Sequence, residues 1–178
     1  PEGGKWRQPS HCADTISLYA GALASVPALY ALGEDVSAGH ATSIQWSVKK
    51  PDRFFKKALQ KYANDVTKVT DVARISLVFE TVQHIVDAVK RLLDPYHAIV
   101  FKNRFVQQAD GGYCDVLTQV RLPDQICEVQ LHLKPIYDLK SEGGHHVYKW
   151  FRRFGVVGQT GPVDEQGLLH GEGSMSMP

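Results

Sequence analysis

The chain has 178 residues, 43% of them apolar, enough for one domain with an appendage and a sizeable core. Twenty Lys and Arg against 19 Asp and Glu leave a net charge of +1. No whole-molecule field therefore drives sequence-blind binding to nucleic acid or to a membrane surface, and any cationic site is local. Cys12, Cys114 and Cys127 have no metal-ligand spacing and leave an odd thiol under any pairing, so they read as small buried thiols in a reducing compartment.

In chain order, the first 12 residues are polar and rich in Gly and Pro and read as an extended arm. Because the sequence starts at Pro1 without methionine, it reads as a processed product or a fragment in which no targeting signal is legible. Residues 15–32 carry no charge, but Pro27, Gly21, two serines and two tyrosines dilute the run. A packed helix is expected there rather than a membrane span. Residues 33–39 read as a loop.

Pro51 suits the first turn of a helix, with Phe54, Phe55, Ala58, Leu59 and Tyr62 as its expected buried stripe. Arg53, Lys57 and Lys61 recur every four residues on another side, with Lys49, Lys50 and Lys56 nearby. Like charges so spaced cost about 0.2–0.5 kcal/mol per pair, which a bound anion relieves; a solvated lysine face is the plain alternative. Nucleic-acid binding through these cations lacks a second basic surface or an aromatic series.

A turn at 65–70 leads into a strand in which Ile75, Leu77 and Phe79 alternate with Arg74, Ser76 and Val78, with Asp71 at its mouth. Residues 82–93 form an amphipathic helix with Val82, Ile85, Val86, Val89, Leu92 and Leu93 on one face. Asp94-Pro95 ends it. A strand over 98–106 follows, with Lys102 and Arg104 on a common face.

Ala109-Asp110-Gly111-Gly112 is a turn delivering Tyr113 to two strand-like runs hinged at Pro123-Asp124. In the second run Cys127, Val129, Leu131 and Leu133 face one way, and Glu128, Gln130, His132 and Lys134 face the other. One face belongs to a core. The other collects an acid, an amide, an imidazole and an ammonium, which a plain surface strand has little reason to do. A helix, broken at Gly143-Gly144, is expected over 134–153.

Gly112-Tyr113-Cys114-Asp115 leading into a strand, the hairpin, Glu128-x-Gln130 and then His145-x-x-Tyr148 together resemble the RelA/SpoT alarmone-synthetase domain, over residues 47–153. The resemblance implies an α+β nucleotidyltransferase fold, a mixed sheet flanked by helices. It also implies transfer of pyrophosphate from ATP to the ribose hydroxyl of GTP or GDP. On that resemblance Asp71 and Glu128 hold Mg2+, and Glu128 activates the hydroxyl. Lys50, Arg53 and Lys57 grip ATP. Lys102, Arg104, Tyr113, Gln130 and His132 hold the acceptor, with Tyr113 stacked on guanine. His145 and Tyr148 stand behind them.

The sequence departs from the family pattern at Val48, Ser76, Cys114, Leu117 and His132, with Arg74 near enough to stand in for an arginine expected at 76. These departures keep a second reading open, an inert domain of the same fold serving a larger assembly. The tail at 164–178 resembles one unit of the membrane-occupation-and-recognition-nexus repeat, a hairpin that stacks on further copies. The expected division is residues 1–40 as arm and apolar helix, 41–155 as the nucleotidyltransferase domain, and 156–178 as the tail. An intracellular location is expected, in the cytoplasm or an organelle such as a plastid.

Overall fold

The computed structural model describes residues 6–93, 96, 98–107 and 113–139. Helix α1 (Thr15–Ala24) begins at a capping box: the Asp14 carboxylate accepts from the Ile16 and Ser17 amides, and the Ser17 hydroxyl accepts from the Asp14 amide. Helix α2 (Val26–Ser37) follows at a bend of 44°. Pro27 causes the break, since it has no N–H for the carbonyl four residues back. Among the described residues no single helix is long and apolar enough to cross a membrane, and the bent pair meets that test by length and composition only.

Two expectations need correction here. The segment 33–39 is not a loop, because α2 runs on to Ser37 and ends with Ala38 in the left-handed region. The glycine that looked like a break is a contact. A Cβ on Gly33 would lie 2.7 Å from Ile75 Cδ1, 3.2 Å from Leu77 Cδ2 and 3.3 Å from Ile44 Cγ2, so the helix backbone lies directly on the sheet. Gly33→Ala is expected to be nearly neutral in urea unfolding, since about 1 kcal/mol of helix propensity offsets the crowding. Gly33→Val is expected to cost about 1–3 kcal/mol by overpacking.

The arm is not simply extended either. It forms a 3-10 turn at Ser10–Cys12, and Arg7 reaches across to Asp65 at 2.7 Å and Thr67 at 2.8 Å.

Strand β1 (Ala41–Val48) leads to α3 (Pro51–Tyr62), a 3-10 turn (Val66–Lys68), β2 (Ala73–Phe79) and α4 (Val82–Leu93). Then come β3 (Ala98–Asn103), β4 (Val116–Arg121), β5 (Ile126–Leu133) and α5 (Lys134–Leu139). The α3 stripe is narrower than expected. Phe54 and Ala58 are buried, but Phe55 and Leu59 are exposed, because α3 meets the body along one line of contact. On α4, likewise, Ile85, Ala88 and Leu92 go inside while Val82, Val86 and Leu93 remain substantially exposed.

The five strands form one mixed sheet in the order β1-β2-β5-β4-β3. Only β2 and β5 run parallel. Period-2 alternation gives the sheet two faces of different chemistry. Ile75, Leu77, Phe79, Cys127, Val129, Leu131, Val116 and Val120 form the apolar face. They share one core with Leu18, Ala22, Leu29, Leu32 and Val36 from α1 and α2 and with the inner side of α4. Burial pushes the Cys127 thiol up to about 12, which makes it inert.

Candidate active site

The opposite face is polar, and the register assembles it in rows. Ser47, Arg74, Glu128 and Gln119 are cross-strand neighbours, and beside them lie Gln45, Ser76, Gln130 and Leu117. Next come Ser43, Val78 and His132, with Asp115 within 3.9 Å of the imidazole. Residues 43 to 132 thus meet because strands β2 and β5, far apart in sequence, pair at the centre of the sheet.

Asp71 stands just before β2 and is buried. Its Oδ2 receives the Lys49 ammonium at 2.6 Å and the Lys57 ammonium at 2.8 Å. Lys49 is placed by the end of β1, where its amide donates to the Val72 carbonyl at 2.8 Å. Lys57 comes from the middle of α3. Burial alone would raise the Asp71 pKa, but Lys57 and Lys49 outweigh it and hold the carboxyl below its usual range. Burial pulls Lys49 below the ordinary lysine range despite its partner. Asp71 Oδ1 is buried without a hydrogen-bond partner among the described residues.

Glu128 is also buried, and its Oε1 accepts from Gln130 Nε2 at 2.7 Å. Gln130 Oε1 in turn faces the Ser76 hydroxyl at 3.4 Å. Burial first, then the charge of Asp71, raises the Glu128 pKa against the pull of Arg74, Lys57 and Lys49. Glu128 therefore feels the charge of Asp71, and both carboxylates feel Lys57 and Lys49. Of the cations expected to hold ATP, Lys57 enters this group, while Lys50 is the exposed N-cap of α3 and Arg53 is exposed.

Lys49, one residue from the lysine that the resemblance selects, is the one turned inward. Arg74 lies opposite Glu128 with its Nε buried and unbonded among the described residues.

The expected acceptor residues lie farther along the same face. Tyr113 and His132 are joined by a 2.7 Å hydrogen bond between the phenol and Nδ1. Burial and the charge of Asp115 push the Tyr113 hydroxyl well up, so it stays protonated. Arg104 lies just past the end of β3, and its guanidinium grips both oxygens of buried Asp115 at 3.0 and 3.3 Å. Lys102 is exposed on edge strand β3. Tyr137 of α5 meets His132 with ring centroids 5.1 Å apart and donates to Gln45 at 3.1 Å. His145, Tyr148 and the repeat-like tail lie outside the described residues.

Among the described residues no group of three or more His, Cys, Asp or Glu is arranged to hold a metal. Asp71 and Glu128 supply two carboxylates, one with an orphaned buried oxygen, and that donor set suits Mg2+ sharing its remaining positions with water and phosphates.

Comparison with solved structures finds this fold elsewhere. Small alarmone synthetase 1 from Bacillus subtilis, bound to its product pppGpp, superposes with a TM-score of 0.60 at 14% identity, over 75% of this chain and 80% of that one. The chain has the small alarmone synthetase fold. A GTP pyrophosphokinase family protein from Streptococcus pneumoniae gives 0.57 at 14% identity, over 76% and 79% of the two chains. The complex of the Type VI effector Tas1 with its immunity protein gives 0.61 at 18% identity, over 83% and 87%. No family profile and no curated protein sequence matches this chain. Its expected α+β class, a mixed sheet flanked by helices, is the architecture observed.

Proposed function

We propose that the polar sheet face is the active site of a Mg2+-dependent nucleotide pyrophosphokinase, which moves pyrophosphate from ATP to the ribose 3′-hydroxyl of GTP or GDP. The observation that carries this reading is the pairing of Asp71 and Glu128 on one face, with an unbonded buried oxygen on Asp71 and Lys49, Lys57 and Arg74 around them. The likeness to a synthetase bound to pppGpp supports the substrate class.

In this reaction the ribose oxygen attacks the β-phosphorus of ATP, the bond to the α–β bridging oxygen breaks, and AMP leaves. The hydroxyl proton passes to Glu128, whose raised pKa makes it a stronger base than an ordinary carboxylate. Gln130 aims that carboxylate. Lys49, Lys57 and Arg74 face the triphosphate, and Lys50 and Arg53 flank it from the outer side of α3. Lys102 and Tyr113 face the acceptor. Asp71 and Glu128 would hold Mg2+, which would supply charge neutralisation on the phosphates and acidify the attacking hydroxyl.

One observation favours a second reading, a non-catalytic domain of this fold acting in a larger assembly through its N-terminal segment and tail. Arg104 is committed to Asp115 and Tyr113 to His132, which reduces the groups left for an acceptor. Incubation with labelled ATP, GTP and Mg2+ separates the two. A pyrophosphorylated guanosine product with release of AMP supports the enzyme. Absence of product together with absence of nucleotide binding supports the assembly subunit.

A further inference from the structure

The N-terminal arm sends one side chain to the edge of the central strand pair. Gln8 is buried, an unusual place for a glutamine in a polar leader. Its Oε1 accepts from the Ile126 amide at 2.8 Å. Its Nε2 donates to the Ile126 carbonyl at 3.1 Å and to the Val69 carbonyl at 3.2 Å. Its own backbone amide donates to the Thr67 carbonyl at 2.8 Å.

The register explains why an amide belongs there. The parallel ladder between β2 and β5 starts at the pair Arg74 and Glu128. On the other side of β5, Gln125 turns its carbonyl to the hairpin, accepting from the Leu122 amide at 3.0 Å. Ile126 therefore presents both its N–H and its C=O toward the β2 side, ahead of the point where β2 begins. The Gln8 side chain supplies one acceptor and one donor in the geometry of a peptide group and so extends the ladder past its end. With its second amide hydrogen it ties in Val69.

Val69 precedes Asp71 by two residues, and Ile126 precedes Glu128 by two. We infer that Gln8 is a positioning residue for the Asp71–Glu128 pair, a side-chain rung that sets their separation without touching either carboxylate. This inference rests on the reading of that pair as a metal site. The arm is thereby part of the site's scaffold, and whatever detaches it is expected to loosen metal binding.

The test uses Mn2+ alone as probe, followed by electron paramagnetic resonance on the full chain, beside amide hydrogen exchange. Gln8→Ala is expected to weaken Mn2+ binding at least tenfold and to speed exchange at least tenfold at 70–73 and 126–130. Arg7→Ala, which removes exposed arm contacts to Asp65 and Thr67 only, is expected to change neither. Gln8→Met keeps the side-chain length and loses all three side-chain hydrogen bonds, so it is expected to weaken Mn2+ binding and speed exchange as Gln8→Ala does. It also keeps the comparison open if Gln8→Ala does not fold. Glu128→Gln separates the two levels of argument. If it leaves Mn2+ binding unchanged, the metal-site reading fails; if it abolishes binding while both Gln8 variants bind and exchange as wild type, the role given to Gln8 fails.

Discussion

Glu128→Gln is expected to lower the rate of pyrophosphate transfer by about 10²–10⁴-fold, the usual worth of a positioned general base, while leaving the fold as stable as before or more so. The two effects have one cause. Glu128 is buried, and burial together with Asp71 raises its pKa in the folded state. A group whose folded pKa lies above its unfolded one contributes stability that is complete below the unfolded value and is lost as pH rises through the folded value. Ionised Glu128 is therefore a burden that glutamine removes while keeping shape and one acceptor oxygen. Activity assays beside urea unfolding at pH 5 and pH 8 check this. Loss of activity with a parallel loss of stability would instead make Glu128 a structural residue.

That the burden is retained in a chain otherwise well packed is itself informative, since strain of this kind collects at functional sites. How much of this was legible in the sequence depended on whether the deciding contacts were local. The hairpin around Pro123-Asp124 and helix α4 could be read because strict periods of 2 and 3.6 carry their own evidence. Strand β1 could not. It is an edge strand with little buried surface, and its residues show no clean alternation of burial. Without β1 the direction of Lys49 was undetermined, and two adjacent lysines before a proline could not be told apart.

Gly33 read as a helix break because its reason for being glycine is a contact with Ile75 and Leu77, some 40 positions on. Gln8 left no trace at all, since a single amide in a polar leader has neither period nor motif. Asp71 and Glu128 were singled out through the order of motifs rather than through any physical pattern, and the influence of Asp71 on Glu128 follows from the parallel β2–β5 pairing.

Asp71→Asn is expected to give the largest change in stability, about 3–5 kcal/mol, because it removes one partner of a buried ion cluster and leaves the others uncompensated. Lys49 has only 10% of its side chain exposed and, among the described residues, no ion pair besides that with Asp71, whereas Lys57, at 23%, can swing toward solvent on its aliphatic stem. The deficit therefore falls mainly on Lys49, and Asp71→Asn combined with Lys49→Met is expected to recover part of the loss in urea unfolding.

The pH dependence has the opposite sign to that of Glu128. Burial opposes ionisation of Asp71, but Lys57 and Lys49 prevail and its folded pKa lies below the ordinary 3.8. Its contribution is present above that ordinary value and is lost as pH falls through the folded one. Wild type should thus lose stability below about pH 4 more steeply than Asp71→Asn does, as expected for a depressed aspartate. Equal acid slopes in the two proteins would mean that the Lys49–Asp71–Lys57 cluster does not hold Asp71 ionised. Two carboxylates on one sheet face, one held charged by lysines and the other biased toward its proton, divide the work of the proposed reaction between a fixed anion and a base.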